Sequence, residues 1–168
     1  MMEEVIKESS LSRTQEYMAK YDCATISAFR PRTKAENKTE SSKLGKLLTQ
    51  EGFTHFLVDG SWVDNFGTSD AKEGKEITYF VVNDKNDKDF KKKIWRLGHL
   101  FDQDSVMIYP KGSNPYLQGT SKRKNAYPAY KEKDQKGKVE FGKEAEFMTR
   151  VKGRPYTAKS IKTKYFDY

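Results

Sequence analysis

The chain has a single cysteine, Cys23, in 168 residues. A lone thiol closes no internal disulfide, so the fold must rest on packing and hydrogen bonds. Cys23 falls in a strand-like run and reads as a small buried hydrophobe, not a nucleophile. Histidine is nearly as scarce, with only His55 and His99. Neither has a second ligand at the spacings metal motifs use, so no metal is expected. Neither opens an H-x-T pair, because Leu57 and Phe101 stand where the hydroxyl would be. That excludes a phosphoesterase of the two-histidine kind. A P-loop, a dinucleotide fingerprint and a nucleophile elbow are also missing, and no cofactor is expected. No apolar run approaches the roughly 20 residues needed to cross a bilayer. The first ten residues carry Glu3, Glu4 and Glu8 and lack the basic start and apolar stretch of a signal peptide. These absences lead to the expectation of a cytoplasmic protein with no membrane contact.

Aromatic residues and lysine are abundant. Ten Tyr and ten Phe stand against an overall hydrophobic content of 35%, so a core can be built from few large side chains. The charge is uneven. Residues 1–70 carry nine basic and eleven acidic groups, a net of −2, whereas residues 71–168 carry 23 and 13, a net of +10. Such a skew suggests that one side of the molecule meets something anionic, although a solvated lysine-rich surface explains it equally simply.

The hydrophobic pattern predicts a single α+β domain. Residues 1–22 form a polar, helix-compatible lead-in with Leu11, Met18 and Tyr21 as anchors. Cys23 to Phe29 alternates as a strand and is stopped by Pro31. Thr33 and Glu36 form a capping box for a helix to about Glu51, with Leu44, Leu47 and Leu48 on its apolar face and Gly52 as its stop. Phe53–Val58 is a second strand, and Gly60 to Gly74 reads as a hairpin-type connection carrying Trp62, Asn65, Gly67 and Ser69. Glu76–Val82 is a third strand, apolar enough to be central. After a turn over 83–87, Phe90, Ile94, Leu97 and Phe101 make one helical stripe. Ser105–Tyr109 is a fourth strand. The order β-α-β-β-α-β over residues 23–109 predicts a ferredoxin-like core, an antiparallel sheet with both helices on one face. Residues 110–152 read as a β-rich extension with short strands at 116–118, 139–141 and 147–151, and residues 153–168 as a tail.

The run from Thr25 to Tyr109 resembles a small bacterial and phage family classed as a domain of unknown function. The likeness rests on Phe29 and Pro31 closing the first strand, and on Asn37 followed by Leu44, Leu47, Leu48 and Gly52. Glu76 opens the third strand, and Leu97, Phe101, Gln103, Ser105 and Val106 span the exit of the second helix. The family tends to place an arginine one turn after the helix asparagine, and Glu40 stands there instead. The resemblance supports the fold and picks out Asn37, Glu76 and Gln103 as a polar pocket. The chain's lysine- and tyrosine-rich style also looks like that of a phage-encoded accessory protein.

Among residues able to bind, the stretch 119–130 stands out. Lys122, Arg123 and Lys124 are consecutive bases followed by Tyr127 and Tyr130, and Arg150, Lys152 and Arg154 add positive charge. Cations attract phosphates and aromatic rings stack on bases, so this set is the candidate nucleic-acid interface. Asp102 and Asp104 flank Gln103 where a helix C-terminus disfavours negative charge; they read as loop polarity or as a carboxylate pair. The leading expectation is a non-enzymatic basic protein that contacts nucleic acid or another polyanion. One alternative is a module docking on an acidic host or virion protein. The other is an enzyme acting on a nucleotide or nucleic acid, with Glu76, Asp102, Gln103 and Asp104 as its candidates.

Overall fold

The computed structural model describes residues 13–64, 69, 72–135, 138–140, 147–151 and 154–160. Residues 13–20 form helix α1. The following elements are β1 (Cys23–Ser27), α2 (Lys34–Glu51), β2 (Thr54–Asp64), β3 (Lys72–Val82), α3 (Phe90–Leu100), β4 (Ser105–Tyr109) and β5 (Tyr116–Gly119). The last four are β6 (Lys133–Asp134), β7 (Lys138–Glu140), β8 (Phe147–Val151) and β9 (Arg154–Ser160). Among the described residues the strands join one sheet in the order β6-β5-β4-β1-β3-β2-β9-β8-β7. Every pairing is antiparallel.

The central order β4-β1-β3-β2, with two helices on one face, is the predicted ferredoxin-like core. Local chemistry places both helices. Thr33 caps α2 by accepting the Glu36 amide at 3.1 Å, and its hydroxyl donates to the Glu36 carboxylate at 2.8 Å. Gly52 ends α2 at φ +79°, a left-handed geometry that costs glycine little. In α3 the predicted stripe of Phe90, Ile94 and Leu97 is buried, and Phe101 continues it.

Side-chain alternation sorts the sheet into two faces. Ala24, Ile26, Val81, Val106 and Ile108 pack under Leu44 and Leu48 of α2 and Phe90, Ile94 and Leu97 of α3. The opposite face collects Cys23, Val58, Phe80, Val82, Met107, Tyr109, Leu117 and Tyr156, with Tyr17 and Met18 of α1 packed against them. Leu11, the third expected anchor of the lead-in, lies outside the described residues. Val139 of β7 and Tyr127 of the loop after β5 join this second cluster, so the flanks of the sheet curl over that face.

The structure differs from the sequence reading in three places. The β2–β3 hairpin runs on to Asp64 and Lys72, so Trp62 is a strand residue paired with Gly74 and Tyr156. Its tip, with Asn65 and Gly67, lies outside the described residues. Residues 154–160, expected within a tail, are β9, which inserts between β2 and β8. The C-terminal extension adds strands at both ends of the strand order: β5 and β6 beyond β4, and β9, β8 and β7 beyond β2. No described helix is long and apolar enough to cross a membrane.

Candidate active site

A cleft opens on the face opposite α2 and α3, where β1 ends. Its volume is about 470 Å³, inside the range of roughly 300–1,000 Å³ typical of small-molecule sites. The strand positions that face it are polar where the rest of that face is apolar. Thr25 and Ser27 of β1, Glu76 and Thr78 of β3, and Ser105 of β4 line it beside Met107 and Leu117. The ladder pairs Ser27 with Thr78, and the next β3 residue on this face is Glu76. The aromatic side chains of Phe29, Tyr127 and Tyr156 complete the lining, with Arg30, Gln103 and Asp104 from the loops.

Tyr156 reaches the cleft from β9 across Gly60 of β2. A Cβ on Gly60 would lie 2.8 Å from the Thr78 hydroxyl and 2.9 Å from the Tyr156 phenol oxygen. Glycine is thus required for the ring to cross the strand. The Tyr156 hydroxyl hydrogen-bonds with Thr78 and Thr25. Burial pushes its pKa well above the usual tyrosine value, and the neighbouring Tyr109 and Glu76 add to that rise, so the phenol stays neutral.

Two buried amides fix the loop that carries Arg30. Asn37, on α2, accepts from the Arg30 amide at 2.9 Å and donates to the Arg30 carbonyl at 3.0 Å. Its Oδ1 also takes the Arg32 Nε at 2.8 Å. Gln103 donates through Nε2 to the Phe29 carbonyl at 3.1 Å and to the Phe101 carbonyl at 3.1 Å. Of the three polar positions marked by the resemblance, Glu76 and Gln103 meet in the cleft, whereas Asn37 stands behind it and holds the backbone of Arg30. Glu40, the departure from the expected arginine, pairs with Lys43 at 3.0 Å.

Asp102 and Asp104 lie between two arginines. Arg123 forms close ion pairs with both, and the Arg30 guanidinium stands 3.8 Å from Asp102 and 3.7 Å from Asp104. The carboxylates at the end of α3 are thereby compensated.

Three members of the expected nucleic-acid interface, Arg123, Tyr127 and Tyr130, have partners within the protein. Arg123 is committed to the two aspartates. The Tyr127 hydroxyl donates to Asp134 while its ring lines the cleft. Tyr130 packs against Trp95 at 5.5 Å and His99 at 5.7 Å between ring centroids. Lys122 is exposed and lies 5.2 Å from the Tyr130 ring centre, and Lys124 is exposed. Arg150 and Arg154 belong to β8 and β9 on the other flank, and Lys152 lies outside the described residues.

The histidines and the cysteine have structural partners. His55 Nδ1 lies 2.8 Å from the Phe53 carbonyl and His99 Nδ1 lies 2.9 Å from the Thr120 carbonyl. Cys23 is buried, and burial, with Asp22 nearby, pushes its thiol pKa far up, which removes it as a nucleophile. Among the described residues no three His, Cys, Asp or Glu side chains gather as a metal site.

The sequence model of the S-adenosylmethionine lyase family matches residues 24–167. The chain belongs to that family. No curated protein matches the chain. Membership of an enzyme family overturns the reading of a non-enzymatic protein that binds nucleic acid through its basic half. The enzyme alternative stands, with S-adenosylmethionine in place of a nucleotide or nucleic acid. The lyase family match covers the C-terminal extension as well as the 25–109 core on which the resemblance rested. This agrees with Tyr127 and Tyr156 completing the cleft.

Thr25, Ser27, Arg30, Thr78 and Tyr156 are polar cleft residues that sequence reasoning did not assign to a pocket. The available signal was in β1 itself: Thr25 and Ser27 alternate with Ala24 and Ile26 in a strand buried on both faces, and a polar half-pattern inside a buried strand marks a lined cavity.

Proposed function

We propose that the protein cleaves S-adenosylmethionine in the cleft at the end of β1, with Glu76 as its principal polar contact. One observation carries this reading: the cleft at the end of β1 brings a carboxylate side chain, Glu76, and a guanidinium, Arg30, together beside aromatic rings. S-adenosylmethionine offers the matching set of an ammonium, a carboxylate, a sulfonium and a purine.

A lyase breaks the carbon–sulfur bond without water and without redox chemistry. The hydrogens on the carbon next to the one bearing sulfur are not acidic, so proton abstraction by a side chain is a poor route. The substrate's own carboxylate can instead attack Cγ. The new C–O bond closes a five-membered ring, the Cγ–S bond breaks, and its electron pair stays on sulfur. The products are a neutral thioether, 5′-methylthioadenosine, and the lactone of homoserine with its ammonium unchanged. No proton moves, so the site needs no general base. What it must supply is a folded substrate held with the reacting atoms in contact, which is worth several kcal/mol in an intramolecular reaction.

Positive and negative charge cancel as the ring closes, which a water-poor cleft favours. A protein carboxylate set against the sulfonium would hold back the charge that disappears. The ammonium keeps its charge throughout, so Glu76 is assigned to the ammonium. The rings of Phe29 and Tyr127 provide faces for the purine and for the sulfonium methyl. The lysine- and tyrosine-rich composition fits a phage-encoded accessory enzyme.

Incubation with S-adenosylmethionine, followed by mass spectrometry, tests the reading. The thioether and the lactone should appear together, and in ¹⁸O-labelled water the freshly formed lactone should carry no label. Unconsumed substrate, or labelled homoserine as the first product, would sink it.

A further inference from the structure

The cleft contains a positive group whose placement costs the fold two buried amides. Asn37 bonds both backbone groups of Arg30, and Gln103 bonds the carbonyl of Phe29 immediately before it. These bonds fix where the Arg30 side chain begins without using that side chain. Arg30 lines the cleft with its side chain 28% exposed. Its guanidinium makes no hydrogen bond to any described residue within 3.5 Å, and its nearest carboxylates stand at 3.7 and 3.8 Å. Those carboxylates, on Asp102 and Asp104, are gripped by Arg123 instead.

From this arrangement we infer that Arg30 receives the α-carboxylate of the substrate, and that Arg123 is a positioning residue that keeps the two aspartates from capturing it. The inference rests on the cleft being the S-adenosylmethionine site. A guanidinium presents N–H donors in a plane that matches a carboxylate. With Arg123 removed, Asp102 and Asp104 would compete for Arg30 as internal anions. With Arg123 present they stay near enough to temper the charge on Arg30. A tempered cation orients one carboxylate oxygen without suppressing the nucleophilicity of the other. Glu76 on the ammonium and Arg30 on the carboxylate would hold the amino-acid end at two points, which sets the direction from which the ring closes.

The test uses two unreactive thioethers that differ only in the group at issue: S-adenosylhomocysteine and its decarboxylated counterpart, titrated calorimetrically into the full chain. In the unmodified protein the carboxylate-bearing ligand should bind more tightly. Arg30→Ala should weaken it about 10- to 100-fold, the scale of a charge-assisted hydrogen bond, and leave the decarboxylated ligand within about twofold. Arg30→Lys should recover part of the loss. Arg123→Ala should weaken the carboxylate-bearing ligand alone, by about two- to fivefold, as expected for an exposed ion pair. Circular dichroism confirms that each variant is folded. Equal losses on both ligands in a folded Arg30→Ala protein, no loss on either, or no binding of either ligand to the unmodified protein overturns the assignment. Failure of the unmodified protein to cleave S-adenosylmethionine is read separately and sinks the parent reading. Cleavage with no carboxylate-dependent difference sinks only the role of Arg30.

Discussion

The two faces of one sheet do different work. On the helix side, β1, β3 and β4 present Ala24, Ile26, Tyr79, Val81, Val106 and Ile108, closed over by α2 and α3. On the other side the same strands present Thr25, Ser27, Glu76, Thr78 and Ser105 among apolar neighbours, and a cavity remains. Strand periodicity allows this division, because neighbouring residues point to opposite faces and can be specialised independently. Stability is concentrated where packing is complete. Recognition is concentrated where polar side chains keep packing from closing.

Truncation on the sealed face should give the largest effect. Leu48→Ala removes a fully buried side chain beneath α2 and should cost about 2–5 kcal/mol of unfolding free energy by urea titration. A loss below about 1 kcal/mol would show that this face is not the main store of stability. Glu76→Gln on the open face should show the reverse pattern. It should keep the urea midpoint and lower kcat/KM for S-adenosylmethionine about 10- to 100-fold, a change of roughly 1.4–2.7 kcal/mol. A variant with full activity would remove Glu76 from the site.

Tyr156 links the faces to pH. Its folded pKa is raised by burial, so its neutral form supports the fold fully below the ordinary tyrosine value of 10.0. As pH climbs past that value the unfolded chain ionises first, and stability falls until the folded pKa is reached. Tyr79 and Tyr116 shift in the same direction, also by burial. Tyr156→Phe should therefore flatten the alkaline loss of stability by about one proton's worth, roughly 1.4 kcal/mol per pH unit. Urea midpoints compared between neutral and strongly alkaline buffer measure it, and an unchanged slope would place the phenol in water.

The smallest effect belongs to the exposed lysines of the 119–130 loop. Lys122→Ala and Lys124→Ala should each change stability by less than about 0.5 kcal/mol and leave turnover of S-adenosylmethionine as it was. A marked fall in turnover would bring this loop back into the functional site.

The helical elements were legible in the chain because their signals are local. The Thr33–Glu36 cap, the Gly52 stop and the stripe Phe90, Ile94, Leu97 act within a few residues of one another, and each appears in the fold as read. The β-α-β-β-α-β order likewise carries its own topology. The destination of residues 154–160 was not legible: β9 is defined by its pairing with β2, nearly a hundred residues earlier, and its sequence alone is charged and short. The basic loop misled for a related reason. Lysine, arginine and tyrosine in a row look available, but Arg123 and Tyr127 are spent on Asp102, Asp104 and Asp134, and Tyr130 on Trp95 and His99. Glu76 and Gln103 could be marked in advance by type and position. Sequence by itself determined the helices α2 and α3, the core strands β1 to β4, the burial of Cys23 and the apolar stripe of α3, because propensity and periodicity act over a few residues. Only the tertiary structure decided that Thr25, Thr78, Glu76, Tyr127 and Tyr156 line one cavity, because antiparallel register and the curl of the sheet join residues far apart in the chain.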